Sequence, residues 1–245
     1  MRNLFHLAWR ELTSMFLSPL AYLIMLVFLL WNGWWFRVYL SVRQGAVTET
    51  YAILLGNSLI FWIMAIVIPA AITHARIAAE KKSGVLEMTM TAPVSDVEYV
   101  LAKFLAPATF WVILWIPTSF YAWFLSEFGQ APEFGRVAAG YLGVFLVGFV
   151  FIGVDLLVSA MTTSVIVSLL MAFFLNFALV LVPLGLDFVS QDPSMRKIRN
   201  YIDLPQQFQT FSSGVVDSRA IVFYVSTIVL ALFLAVRTVE VRKWR

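Results

Sequence analysis

The chain has no cysteine, which excludes disulfides, Cys-ligated zinc and iron–sulfur clusters. Its two histidines, His6 and His74, are too few for a histidine-based metal site. Charge is scarce too: 13% of residues are charged, where soluble domains carry about 25%. With 61% hydrophobic residues, the composition is that of an integral membrane protein. The net charge of +3 is no nucleic-acid footprint, because the basic residues sit at the edges of apolar runs and signal topology instead. Motifs are missing as well. There is no G-x-x-x-x-G-K-[ST] phosphate loop and hence no P-loop nucleotide site. There is no H-E-x-x-H, no G-x-S-x-G and no pair of intramembrane acids, so an intramembrane enzyme would lack its reactive cluster. No repeat, low-complexity segment or cleavable signal peptide is read, and one integral domain over 1–245 is expected.

What is present is a series of long apolar runs. They predict an all-α integral membrane protein with spans at about 19–38, 50–75, 96–126, 137–160, 165–186 and 218–237. From Val137 to Leu186 the only charge is Asp155, and one helix of that length would reach about 75 Å. It must turn back, and Thr162-Thr163-Ser164 is the most polar place. Pro69 falls inside the second run, and Asn57 and Ser58 are polar enough to bond a neighbouring helix. Ahead of the first span, residues 2–14 place Leu4, Phe5, Ala8, Trp9 and Leu12 on one helical face, with Leu7 as the exception. This predicts an interfacial helix anchored by Trp9 and Arg10. In the polar segment 187–217, Asp192-Pro193 reads as a helix start and Pro205 as its end, with Phe208 and Phe211 in a loop and Asp217 capping the last span.

The longest polar interruption of the first half is Arg76–Lys103. Gly84 breaks the arriving helix and Pro93 stops the short element after it. Ser95-Asp96-Val97-Glu98 then reads as a capping box with Val94 and Tyr99 as its hydrophobic staple. The coupling segment, 76–95, thus has room for a short structured element, read as a docking surface for a soluble partner. With both termini inside, ten Lys/Arg lie on that side and seven on the other, which puts 76–103 in the cytoplasm. Asp155 is the one acid in the oily region, costing about 2.5–3.5 kcal/mol at mid-membrane. It reads either as a residue lining a substrate path or a subunit seam, or as a hydrogen-bonded structural acid.

The run ITHARIAAEKKSGVLEMTMTAPVSDVEYVLAKFLA, from Ile72, resembles the coupling segment of ABC type-2 transporter permeases. Phe16-Leu17-Ser18-Pro19-Leu20-Ala21-Tyr22 and the run from Phe211 to Arg219 (FSSGVVDSR) agree with the same family. The resemblance is nearest to the gliding-motility and nitrous-oxide-reductase maturation branch. Ala79 stands where the family usually has a glutamate, Val85 where it has threonine, and Asp155 where a small residue is common.

The resemblance implies the permease subunit of an exporter in the bacterial cytoplasmic membrane, with both termini cytoplasmic. It implies pairing with a second permease copy and with two copies of a separate ATPase, which holds the ATP and magnesium. An extracytoplasmic accessory protein is a further expected partner. Gly84 and Pro93 would delimit the coupling helix. Leu86, Met88 and Met90 would offer apolar contact, and Glu80, Lys81 and Glu87 would offer charge. The rival readings are an ion-gradient-driven secondary transporter, a membrane anchor for a soluble ATPase, and an intramembrane enzyme.

Overall fold

Ser18 and Pro19 divide the first two helices of the computed structural model, which describes residues 2–44, 46–86, 94–127, 132–189 and 200–242. Helix α1 (Arg2–Phe16) ends there. The Ser18 hydroxyl accepts from Leu20 N, and Pro19 takes the first position of α2 (Pro19–Val42), where its missing N–H leaves no bond unmade. The chain continues through α3 (Val47–Leu54), α4 (Leu59–Thr73) and α5 (Ala78–Ser83). After that come α6 (Asp96–Trp115), a 3₁₀ turn (Ile116–Ser119) and α7 (Phe120–Glu127). It closes with α8 (Phe134–Met161), α9 (Val165–Val189), α10 (Leu204–Ser212) and α11 (Ser218–Arg242).

Among the described residues six helical stretches are long and apolar enough to cross a membrane: Pro19–Val42, Leu59–Ser83, Asp96–Ser126, Phe134–Met161, Val165–Pro183 and Ser218–Val241. The chain is an all-α integral membrane protein. The predicted turn at 162–164 joins α8 to α9, and the capping box forms as written. Ser95 Oγ accepts from Glu98 N at 3.2 Å, and the Glu98 carboxylate accepts from Ser95 N at 3.3 Å.

Three local expectations change. The second apolar run is not one helix from 50 to 75: it breaks at 55–58, and the Ser58 hydroxyl caps α4 by accepting from Phe61 N. Gly56 sits at φ +152° in that break, and a Cβ there would lie 1.8 Å from the Phe208 ring, so the break is where α10 docks. Pro205 opens a helix rather than ending one, since Asp203 caps α10 through Gln206 N. Phe208 and Phe211 lie on that helix, fully buried, not in a loop. On α1 the inward face is Leu7, Glu11 and Met15, while Phe5 and Trp9 point out. Leu7 is therefore no exception to the pattern but part of the packed stripe. Asp192 and Pro193 lie outside the described residues.

The core is built around α8, which packs against α3, α4, α6, α9, α10 and α11. Its glycines let neighbours close in. Trp111 of α6 lies over Gly148, where a Cβ would come within 2.1 Å of the indole nitrogen, and donates to Val144 O at 3.1 Å. α2, α9 and α11 leave much of their apolar surface outward, as lipid-facing helices do.

Candidate functional site

Residues 76–86 of the polar interruption fold back on the bundle, and α5 within them is tied to it from two sides. Thr73 ends α4, the chain turns, and α5 begins with the backbone N–H groups of Ile77 and Ala78. The first N–H groups of a helix have no partner within it. Here the Ser159 hydroxyl of α8 accepts from both, at 3.1 and 3.0 Å, and itself donates to His74 O at 2.9 Å. Lys81 reaches the other way and donates to Ala160 O, one of the carbonyls left over at the end of α8. A cation there also suits the negative end of the α8 dipole. Gly84 closes α5 in the left-handed region, φ +77°, which favours glycine.

A charged cluster holds the same element from the opposite side. Lys103 on α6 is 2% exposed, with its ammonium between two carboxylates. It donates to Glu11 of α1 at 2.9 Å and to Glu80 of α5. The Tyr99 hydroxyl donates to Glu80 at 2.6 Å. Arg76 approaches Glu11 at 3.9 Å while its Nε donates to Ile72 O at 3.0 Å, and Arg10 lies 3.4 Å from Glu11. Two carboxylates and the two cations Lys103 and Arg76 balance, as buried charges must to be tolerated. A cavity of about 400 Å³ opens beside the cluster, lined by Met15, Ala21, Ile24, Ile72, Arg76 and Glu80 among others.

The expected coupling residues therefore separate. Glu80 and Lys81 turn into the bundle, and Leu86, 2% exposed, joins the hydrophobic core. Gly84 is the turn itself. Glu87, Met88, Met90 and Pro93 lie outside the described residues. Trp9, 58% exposed, and Arg10 stay on the outer face of α1. Asp155 is fully buried between α4, α8 and α9 and reaches no surface of the chain. Sequence reasoning does not single out Glu11, Tyr99, Lys103 or Ser159 for this role. For Lys103 a signal exists: it is a lone charge between Ala102 and Phe104 on an otherwise apolar helix face.

The other end of the bundle carries a larger cavity, about 820 Å³, lined by Asn57, Ser58, Trp62, Arg136, Gln206 and Gln209 among others. Asn57 there accepts from the Ser212 hydroxyl at 3.1 Å, bonding the α3–α4 break to α10.

A bundle of six lipid-length helices with a charge-clamped helical element at one end is a multi-pass membrane protein. Residues 39–236 match the family described as ABC-2 family transporter protein, and the chain belongs to that family. It is a permease of ABC-type transporters, whose membrane subunits generally work with an ATPase and have no nucleotide site of their own. No curated protein matches the chain.

Proposed function

We propose that this permease couples ATP hydrolysis on a separate ATPase subunit to substrate export or mechanical transmission, through the segment 76–95. The observation that carries this is the double tie on α5. Glu80 joins it to α6 and, through Lys103, to α1, while Lys81 and the Ser159 hydroxyl join it to α8. A force applied to the segment is delivered to three helices together, and packed elements respond to such a force by shifting as bodies. The ATPase is the engine, so ATP and magnesium belong to it and not to this chain. The segment 76–95 and both termini face the cytoplasm, and the membrane is the bacterial cytoplasmic membrane. The working unit is a homodimer of permeases with two ATPase copies and an extracytoplasmic accessory protein, of the gliding-motility and nitrous-oxide-reductase maturation type.

Because Glu80, Lys81 and Leu86 are engaged within the chain, the contact with the ATPase falls to Gly84 and the residues from Glu87 to Pro93. The test is co-purification with the co-encoded ATPase, followed by its hydrolysis rate. Glu87→Lys and Gly84→Trp should each lower ATPase capture or permease-dependent hydrolysis about tenfold, equivalent to about 1.4 kcal/mol. Among the described residues no atom lies within 4 Å of an added Cβ at Gly84, so the new side chain starts into open space and the strain falls on the left-handed backbone. Normal capture and hydrolysis in both variants defeats the proposal.

A further inference from the structure

The helices α4, α8 and α9 meet along a strip that is polar where a membrane interior should be oily. Its register is visible in two contacts. Asn176 Nδ2 of α9 points to Ile66 O of α4 at 3.5 Å, and Ala70, Val158 and Ala172 pack together as a small separate apolar group. Helical spacing then puts Ile66, Ala70 and Thr73 on one face of α4, Asp155 and Val158 on one face of α8, and Ser168, Ala172 and Asn176 on one face of α9. All four polar side chains of the strip, Thr73, Asp155, Ser168 and Asn176, are fully buried. Among the described residues no hydrogen bond reaches Thr73 Oγ1, Ser168 Oγ, Asn176 Oδ1 or either carboxyl oxygen of Asp155.

Among the described residues an ionised carboxylate has only the Asn176 amide to compensate it in this place. The Asn176 side chain faces Asp155 closely enough to act on it, although neither carboxyl oxygen completes a hydrogen bond, and among the described residues no charged group acts on Asp155. The titratable groups of the packed elements are engaged elsewhere. His74, past the end of α4, has Nδ1 on the carbonyls of Ala70 and Ala71. On α5, Lys81 donates to Ala160 O and Glu80 pairs with Lys103, which with Arg76 belongs to the cluster around Glu11. On α11, which packs behind α8, Arg237 pairs with Glu240 at 2.8 Å. α9 has no ionisable residue between Val165 and Leu186. A bare buried charge is far costlier than a neutral acid in such surroundings. A carboxylic acid has one O–H to donate and one C=O to accept with, and a primary amide is its match on both points.

We propose that Asp155 is a proton-binding site inside the membrane. Its neutral carboxyl pairs with the Asn176 amide and holds α9 against α4 and α8. Ser168, eight residues before Asn176 on the same face, lies about 12 Å along the helix. Together with Thr73 it continues the strip toward the 162–164 turn, the end of the bundle where α5 is clamped. A proton would reach Asp155 along these hydroxyls. Ionising Asp155 removes the donor and places a bare charge in the seam, loosening α9, a helix otherwise held by few buried residues.

Infrared spectroscopy of the full chain in lipid nanodiscs tests this. The wild type should show a protonated-carboxyl carbonyl band at neutral pH that Asp155→Asn lacks. On raising the pH that band should vanish together with a drop in Tm, while Asp155→Asn keeps a flat Tm over the same range. Asn176→Ala should shift the frequency of the Asp155 band, which settles the pairing even if Asp155→Asn fails to assemble. The proposal is overturned if the neutral-pH wild type lacks the band, or if Asp155→Asn leaves it in place. It is equally overturned if sodium at constant pH raises the wild-type Tm and not that of Asp155→Asn, which would make the site one for a metal ion.

Discussion

Lys103 is the residue on which the charged end of the bundle depends. Its ammonium serves carboxylates from two other helices, and at 2% exposure it is almost wholly withdrawn from the surface. Lys103→Met therefore leaves Glu11 and Glu80 close together in a buried site, with Arg10 at 3.4 Å and Arg76 at 3.9 Å from Glu11 as the remaining cations. The expected loss is about 3–5 kcal/mol, the usual effect of removing one partner from a buried ion pair. Glu80→Gln is the milder change, because the amide oxygen still accepts from Lys103 and Tyr99 while Glu11 retains its ion pair. Thermal unfolding of both variants in one detergent should rank Lys103→Met well below Glu80→Gln. The reverse order would mean that Lys103 is not the keystone. This cluster was only half legible from sequence. An isolated lysine in an apolar helix announces a buried partner, but the choice of Glu11, 92 positions away, is made by α1 lying on α6.

At the scale of elements, the breaks matter more than the spans. The 55–58 break makes room for α10, whose Phe208 ring lies against Gly56 and Trp62, with Phe61 and Phe208 centroids 5.2 Å apart. Gly56→Ala would drive a methyl group into that ring. Overpacking of this kind costs about 1–3 kcal/mol, and here it acts on a nine-residue helix rather than on a span. Amide hydrogen exchange across residues 204–212 should accelerate in Gly56→Ala while exchange in α8 stays slow. Unchanged protection of α10 would show that the glycine is not what admits it. Hydropathy did not reveal this break, since apolar residues flank it on both sides, Ile53 and Leu54 before it and Leu59 to Trp62 after it. The left-handed or open backbone of a glycine is settled by what packs against it. The amphipathic α1 illustrates the same limit: helical periodicity located the helix, but two apolar stripes competed, and contact with α6 selected the one containing Glu11.

For the whole molecule, the absence of cysteine offers a direct measurement of sidedness. Lys82 is exposed at the clamped end and Gln209 is exposed at the end with the larger cavity. In intact cells an impermeant thiol reagent should label Gln209→Cys and leave Lys82→Cys unlabelled until the membrane is opened. Labelling of Lys82→Cys from outside would invert the topology and remove the proposed ATPase contact with it. The amino-acid sequence by itself determined that this is a helical membrane protein, where α8 turns into α9 and how α6 is capped. All of these derive from hydropathy, length and residues a few positions apart, which are one-dimensional quantities. Only the tertiary structure decided that Glu80, Lys81 and Leu86 face inward, that Ser159 caps α5 from another helix, and that Asp155 shares a buried seam with Asn176. Those outcomes depend on which helix faces pack together across tens of residues of chain, and burial of a polar group is a property of its neighbours rather than of the group.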